Sequence, residues 1–218
     1  MTAVFDPGRI SAAASSSIVY VIDDDAALRD ALSSLFRSVR LQVELFASAR
    51  EVLQGKLPAT PSCLVLDIRL PGASGLDFQA QLAEAGIHMP IVFMTGHGDI
   101  PMSVRAMKAG AVDFLTKPFR DQAMLDAVFA ALESDRKRLE SDQAAAAVSA
   151  LYQTLTPREK EVMLFVTKGL MNKQIAGEMG LSEITVKIHR GHVMRKMEVR
   201  TLADLVRIAE RLSLRTAT

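Results

Sequence analysis

Tryptophan is absent from this 218-residue chain, cysteine occurs once, and aromatic residues of all kinds amount to 5%. A lone cysteine excludes a disulfide scaffold and any Cys-based metal site, and it fits a reducing compartment. Cys63 lies inside the apolar run "CLVLD", where it reads as small buried filler. Long apolar runs are missing too: none approaches the roughly 20 residues that a membrane helix needs. The start, "MTAVFDPGRISAAASSS", lacks the apolar core of a signal peptide. These absences lead us to expect a cytoplasmic protein, without a membrane partner, whose residues 1–16 are frayed or disordered. What the chain does have is a hydrophobic content of 49%, enough for genuine cores in one large or two small domains.

A strong net charge is also lacking, since the total is +1. That balance hides an asymmetry. Residues 17–133 carry 10 basic against 14 acidic side chains, residues 134–153 carry 3 of each, and residues 154–218 carry 12 basic against 7 acidic. An acidic front and a basic back suggest two modules with different partners. The neutral stretch between them, "SDRKRLESDQAAAAVSALYQ", has no Gly or Pro and reads as a helical connector.

In the front module short apolar runs recur: "IVYVI" (18–22), "QVELF" (42–46), "CLVL" (63–66), "IVFM" (91–94) and "VDFLT" (112–116). Helical patterns alternate with them; in 26–39, Leu28, Ala31, Leu32, Leu35, Phe36 and Val39 make one apolar face. Strands alternating with helices predict a parallel sheet covered on both faces. In such sheets the site lies beyond the carboxyl ends of the strands. There the runs deliver Asp23, Asp24 and Asp25, then Asp67, then Thr95 and Gly96, then Lys117 and Pro118.

Each group alone has an ordinary use, as a helix-start acid, a turn residue, loop chemistry or a solvated lysine. Together they make a chemical site. Clustered carboxylates stay ionised only when a cation compensates them, and a few hard oxygen donors suit Mg²⁺. A lysine and a hydroxyl at the same edge complete a cage for a phosphoryl group, with the central carboxylate, Asp67, as nucleophile.

The motifs "IDDD", "LDIRLPGASG", "MTGHGD" and "AMKAGAVDFLTKPF", in this order, resemble those of response-regulator receiver domains. The resemblance implies a flavodoxin-like, doubly wound five-stranded sheet of order 2-1-3-4-5 over 17–134. It implies Asp67 as phospho-acceptor, and Asp23 and Asp24 as the acidic pair. Asp24, Asp67 and the backbone carbonyl of Arg69 would be direct Mg²⁺ ligands, with Asp23 acting through water or shared charge. Thr95 and Lys117 would be the switch hydroxyl and the phosphate-pairing lysine, and Phe114 the aromatic switch. Asp25 would support the site or simply start the next helix, and a cis Lys117-Pro118 bond is feasible. The implied partner is a sensor histidine kinase. Met102, Val104 and Met107, on the helix after the fourth strand, are candidates for a dimer contact formed on phosphorylation, with the core as the alternative for each.

Past a helical linker over 135–153, residues 154–218 predict helices only. Thr156, Pro157 and Glu159 form a capping box with Pro at the first position, and Gly169 marks the stop. A short helix from Asn172 ends at Gly180, Ser182 caps a third helix to about Met197, and Thr201 with Asp204 starts a fourth. Two short helices joined by a Gly-containing turn make a helix-turn-helix. In the third helix we assign Ile184 and Ile188, with Val193 or Met194, to the core, and Lys187, His189, Arg190, Arg195 and Lys196 to the exposed side. Lys173, Arg195 and Lys196 are placed for phosphates, and residues near the helix start for base edges. His189 and His192 hint at a metal site, but no third ligand is evident.

The stretches "LTPREKEV" and "GLMNKQIAGEMGLSEITVKIHRGHVMRKM" resemble the LuxR/NarL/FixJ-type four-helix DNA-binding domain. That implies Thr185, Lys187, Ile188 and Arg190 along the groove-facing part; Gly191 is a departure, since several relatives carry a basic or small side chain there. Taken whole, the chain is similar to FixJ-like two-component activators, including regulators of styrene and toluene catabolism. The function implied is phosphorylation-dependent transcription control through double-stranded promoter DNA and RNA polymerase, without enzymatic activity beyond slow self-dephosphorylation. One rival is an aspartyl-phosphate phosphatase, which would want a second Asp two residues after the nucleophile, where this chain has Arg69. Another is a constitutive DNA-binding protein, which would not need the acceptor and lysine that are present.

Overall fold

The computed structural model describes residues 17–54, 59–70, 73–96 and 100–212. The expected fraying of 1–16 lies outside the described residues. The described chain divides into two compact units between Leu139 and Glu140.

In the first unit, β1 (Ile18–Ile22), β2 (Gln42–Phe46), β3 (Ser62–Asp67), β6 (Ile91–Thr95) and β7 (Asp113–Thr116) form a parallel sheet of order β2-β1-β3-β6-β7. A short antiparallel ribbon, β4 (Arg69–Leu70) with β5 (Ala73–Ser74), follows β3. Every residue of β1, β3 and β6 is buried, as expected of central strands covered on both faces, whereas edge strands β2 and β7 are partly exposed.

The strands' alternate side chains build two cores. Val19, Val21, Cys63, Val65, Val92 and Met94 pack on α1 (Ala26–Ser38) and on the first part of α5 (Asp121–Gln153). Tyr20, Ile22, Leu64, Leu66 and Phe93 pack on α2 (Ala49–Gln54), α3 (Gly75–Glu84) and α4 (Ile100–Lys108). Five of the six residues of the α1 face expected from sequence are used, Leu32 and Phe36 buried with Leu28, Leu35 and Val39 packed beside them, whereas Ala31 is exposed. Burial holds the Cys63 thiol well above its usual range, with Asp135 adding to the effect, so the cysteine is inert.

Helix α5 runs 33 residues without a break, consistent with the absence of Gly and Pro from it. Its buried face ends at Asp135, whose carboxylate accepts the Ser62 N–H at 2.9 Å and the Arg138 guanidinium at 2.8 Å. The start of β3 is thereby tied to this helix.

The second unit packs α6 (Pro157–Thr167), α7 (Asn172–Met179), α8 (Glu183–Lys196) and α9 (Leu202–Arg211) around Val162, Met163, Val166, Ile175, Val186, Val193, Met197 and Leu205. Its local signals act where they stand. Thr156 and Glu159 make the capping box, Gly180 ends α7 in the left-handed region at φ 64°, Ser182 caps α8 and Thr201 caps α9. Of the α8 residues assigned to the core, Val193 is buried and Met194 packs beside it, but Ile184 and Ile188 are exposed and are corrected: Val186, on the opposite side of the helix from them, is buried in their place.

Candidate functional site

The carboxyl ends of β1, β3, β6 and β7 bring the expected polar groups together. Lys117, just past β7, extends its ammonium to Asp23 Oδ2 at 2.7 Å and to Asp67 Oδ2 at 2.6 Å. Asp67 Oδ1 accepts the backbone N–H of Arg69 at 3.0 Å, so both carboxylate oxygens are held. Asp23 and Asp67 are buried and Asp24 is exposed, with one oxygen from each of the three within 4.8 Å of the others. Asp25 stands apart as the N-cap of α1, accepting the N–H groups of Ala27 and Leu28. Its own N–H donates to Asp23 at 2.9 Å.

The electrostatics follow from burial. Desolvation raises the Asp23 carboxyl above its ordinary range, and bonds from Lys117 and the Asp25 N–H offset this only in part. Burial works against the Lys117 ammonium as well, but its two carboxylate partners outweigh burial and raise its pKa. Three carboxylates against one ammonium leave net negative charge in a partly buried, oxygen-only donor set. That set fits a small hard divalent cation such as Mg²⁺.

Thr95 ends β6 fully buried, beside Thr116 in register, and its carbonyl accepts the Lys117 N–H at 2.7 Å. The Lys117-Pro118 bond is cis. Phe114 lies half-buried on β7, against the core that also holds Ala106 and Met102. On α4, Val104 and Met107 are exposed while Met102 packs inward, so the three candidates divide. Close packing fixes the backbone at Asp67. A Cβ on Gly75 would come within 2.8 Å of the Asp67 carbonyl oxygen, and the Gly75 N–H donates to the Ile68 carbonyl at 2.8 Å.

In the second unit, Lys173, Lys187 and Arg195 are exposed and have no acidic partner among the described residues. Thr185 is occupied at the helix start, its hydroxyl 2.8 Å from that of Ser182. Arg190 bonds Asn172 Oδ1 at 3.2 Å, linking α8 to the start of α7. Lys196 bonds Glu159 at 2.7 Å and the Thr154 carbonyl at 3.1 Å, which leaves one of its three donors for a phosphate. Sequence reasoning missed this part-buried pair, although the capping box singles out Glu159.

Glu159 also supplies the third ligand that we found missing beside His189 and His192. Its Oε2 is held by Lys196 and the Thr156 N–H while Oε1 faces His192 Nδ1 at 3.4 Å; burial opposes its charge, but Lys196 and Thr156 outweigh burial and pull its pKa down to about 2. An ammonium already holds the position of positive charge there.

Comparison with known proteins accords with both halves. Residues 19–129 match the response regulator receiver domain, and residues 153–209 match the luxR family of bacterial regulatory proteins. Nodulation protein W of Bradyrhizobium diazoefficiens is 59% identical over 217 residues, covering 98% of this chain and 96% of that protein. Response regulator protein TodT of Pseudomonas putida is 49% identical over 197 residues, covering 90% and 87%. Among solved structures, response regulator StyR superposes with a TM-score of 0.81 at 47% identity, covering 90% of this chain and 99% of that one. Full-length FixJ of B. japonicum gives 0.54 at 40% identity, with 90% and 97% covered. The chain thus belongs to the response regulators of two-component systems, as a receiver domain joined to a luxR-type DNA-binding domain, with transcriptional regulators of the FixJ type among its relatives.

Proposed function

We propose that this regulator binds promoter DNA under the control of phosphorylation at Asp67, in the cytoplasm, with a sensor histidine kinase as phosphodonor. What supports the reading most is the Lys117 ammonium held between Asp23 and Asp67 at the carboxyl edge of the sheet. Receiver domains typically bind Mg²⁺ at this acidic site. Here Asp23, Asp24, Asp67 and the Arg69 carbonyl would hold it, with Asp24, Asp67 and the carbonyl in direct contact. Bound there, it supplies charge neutralisation for the phosphoryl oxygens.

In the proposed transfer an Asp67 oxygen forms the O–P bond as the N–P bond of phosphohistidine breaks. The departing imidazole keeps the electron pair and takes up a proton. Lys117 moves its hydrogen bond from Asp67 Oδ2 to a phosphoryl oxygen, so the charge that held the nucleophile then holds the product. The acyl phosphate is labile to water, which gives slow self-dephosphorylation and no other enzymatic turnover.

The new oxygens draw the Thr95 hydroxyl toward the phosphoryl group, and Phe114 turns into the space released. Val104 and Met107, exposed on α4, then join a homodimer contact. DNA contacts are assigned to Lys173, Thr185, Lys187, Ile188, Arg190, Arg195 and Lys196, with RNA polymerase as the downstream partner of an activator. The test is covalent labelling by a small acyl phosphate with Mg²⁺, read by intact mass. One phosphoryl group is expected on the wild type and none on Asp67→Asn; full labelling of the variant would refute the assignment.

A further inference from the structure

Two isoleucines on α8 are exposed where hydrophobic burial has no use for them: Ile184 is 73% and Ile188 52% exposed, and neither belongs to the core around Val186 and Val193. Nothing local favours them. A β-branched residue lowers helix propensity, and its apolar surface in water gains nothing. At about 100° per residue, Ile184, Lys187, Ile188, Gly191 and Arg195 fall within an arc of roughly 100°, opposite Val186, Val193 and Met197. That face joins two apolar side chains, two exposed cations without acidic partners among the described residues, and a glycine. A Cβ on Gly191 would meet nothing within 4 Å, so the glycine is not demanded by packing inside the domain. It keeps the middle of the face low, where a partner can approach closely. The first turn is fixed by Ser182, which accepts the Thr185 N–H at 3.1 Å, and this sets the direction in which Ile184 projects.

Lys187 and Arg195 favour an anionic partner over a protein surface. On the major-groove edges of duplex DNA the apolar group is the C5 methyl of thymine, while the other exposed atoms donate or accept hydrogen bonds. Four residues of helix rise about 6 Å, close to two base steps of about 3.4 Å.

We propose that Ile184 and Ile188 are specificity-determining residues that pack against the C5 methyls of two thymines about two base steps apart in the operator. The proposal rests on the reading of α8 as the groove-facing helix, and it adds Ile184 to the residues that read sequence.

The experiment uses the full-length phosphorylated protein and an operator duplex defined by footprinting. Each thymine in the footprint is replaced singly by uracil, which removes only the methyl, and affinity is measured by fluorescence anisotropy. Two positions about two base steps apart should each weaken binding about four-fold, the value of one buried methyl. Ile184→Ala should abolish the methyl dependence at one position and Ile188→Ala at the other, with helix content and melting unchanged. If no uracil weakens binding while Lys187→Ala does, the proposal fails and the groove reading stands. If Lys187→Ala is also without effect on specific affinity, both fail. If Ile184→Ala leaves affinity unchanged but alters the sedimentation coefficient, the pair belongs to a protein contact and the proposal is overturned.

Discussion

Replacing Lys117 by Met removes the cation from between two buried carboxylates, and the consequence can be worked through. Both carboxylates touch the same Nζ, at 2.7 and 2.6 Å, so in the variant they face each other across about 5 Å. At an effective dielectric constant near 20 two such charges repel by about 3 kcal/mol. Removing one partner of a buried ion pair typically costs 3–5 kcal/mol, so a loss of about 3 kcal/mol at pH 8 without divalent cations is expected. The sign of the pH dependence follows from Asp23, which burial already raises. With the ammonium gone its native carboxyl lies further above the unfolded value. The native state then holds more protons between those two values, and stability falls as pH rises through that window. The deficit should therefore shrink toward about pH 4, the unfolded carboxyl range. Mg²⁺ should restore the variant more than the wild type, because no ammonium competes with it for the carboxylates. Urea unfolding by circular dichroism reads the loss, and hydrogen exchange at β1 and β3 assigns it to the receiver unit. A variant as stable as the wild type at pH 8 without divalent cations would refute the reasoning.

Three further outcomes are expected. Gly75→Ala drives a methyl toward the Asp67 carbonyl at 2.8 Å. Overpacking of this kind costs about 1–3 kcal/mol, and slower labelling of Asp67 with a lowered melting temperature would register it; unchanged values would mean that the approach is not tight. Glu159, whose pKa falls from 4.5 to about 2, contributes stability that is present above pH 4.5 and lost as pH falls toward 2. The shift corresponds to about 3 kcal/mol, so Glu159→Gln should be less stable at pH 7 and flatter in acid; superimposable acid limbs for the two proteins would contradict this. Lys187→Ala should weaken specific operator binding, and unchanged affinity in anisotropy titrations would remove Lys187 from the reading face.

Much of this structure is legible in the sequence because local and global preferences agree there. The strands at 18–22 and 42–46 coincide with their apolar runs, and Thr156, Gly180, Ser182 and Thr201 punctuate the helices where their chemistry requires. The polar cluster was visible because open parallel sheets gather strand ends at one edge. Where the reading failed, one dimension was not enough. Hydrophobicity alone put Ile184 and Ile188 in the core beside Val193, yet α8 has apolar residues on both sides, and only packing against α6 and α7 selects Val186 in place of the two isoleucines. The Glu159–Lys196 pair joins residues 37 positions apart, beyond the reach of spacing rules. The anchoring of Asp135 to the Ser62 N–H, 73 positions away, was invisible for the same reason.

The central claim, that phosphorylation of Asp67 governs DNA binding, is tested most directly by footprinting across genomic DNA with and without a small acyl phosphate, for the wild type and Asp67→Asn. Protected sites that appear or strengthen with the phosphodonor in the wild type, and do not respond in Asp67→Asn, are the expected result. Equal protection in all four samples would contradict it.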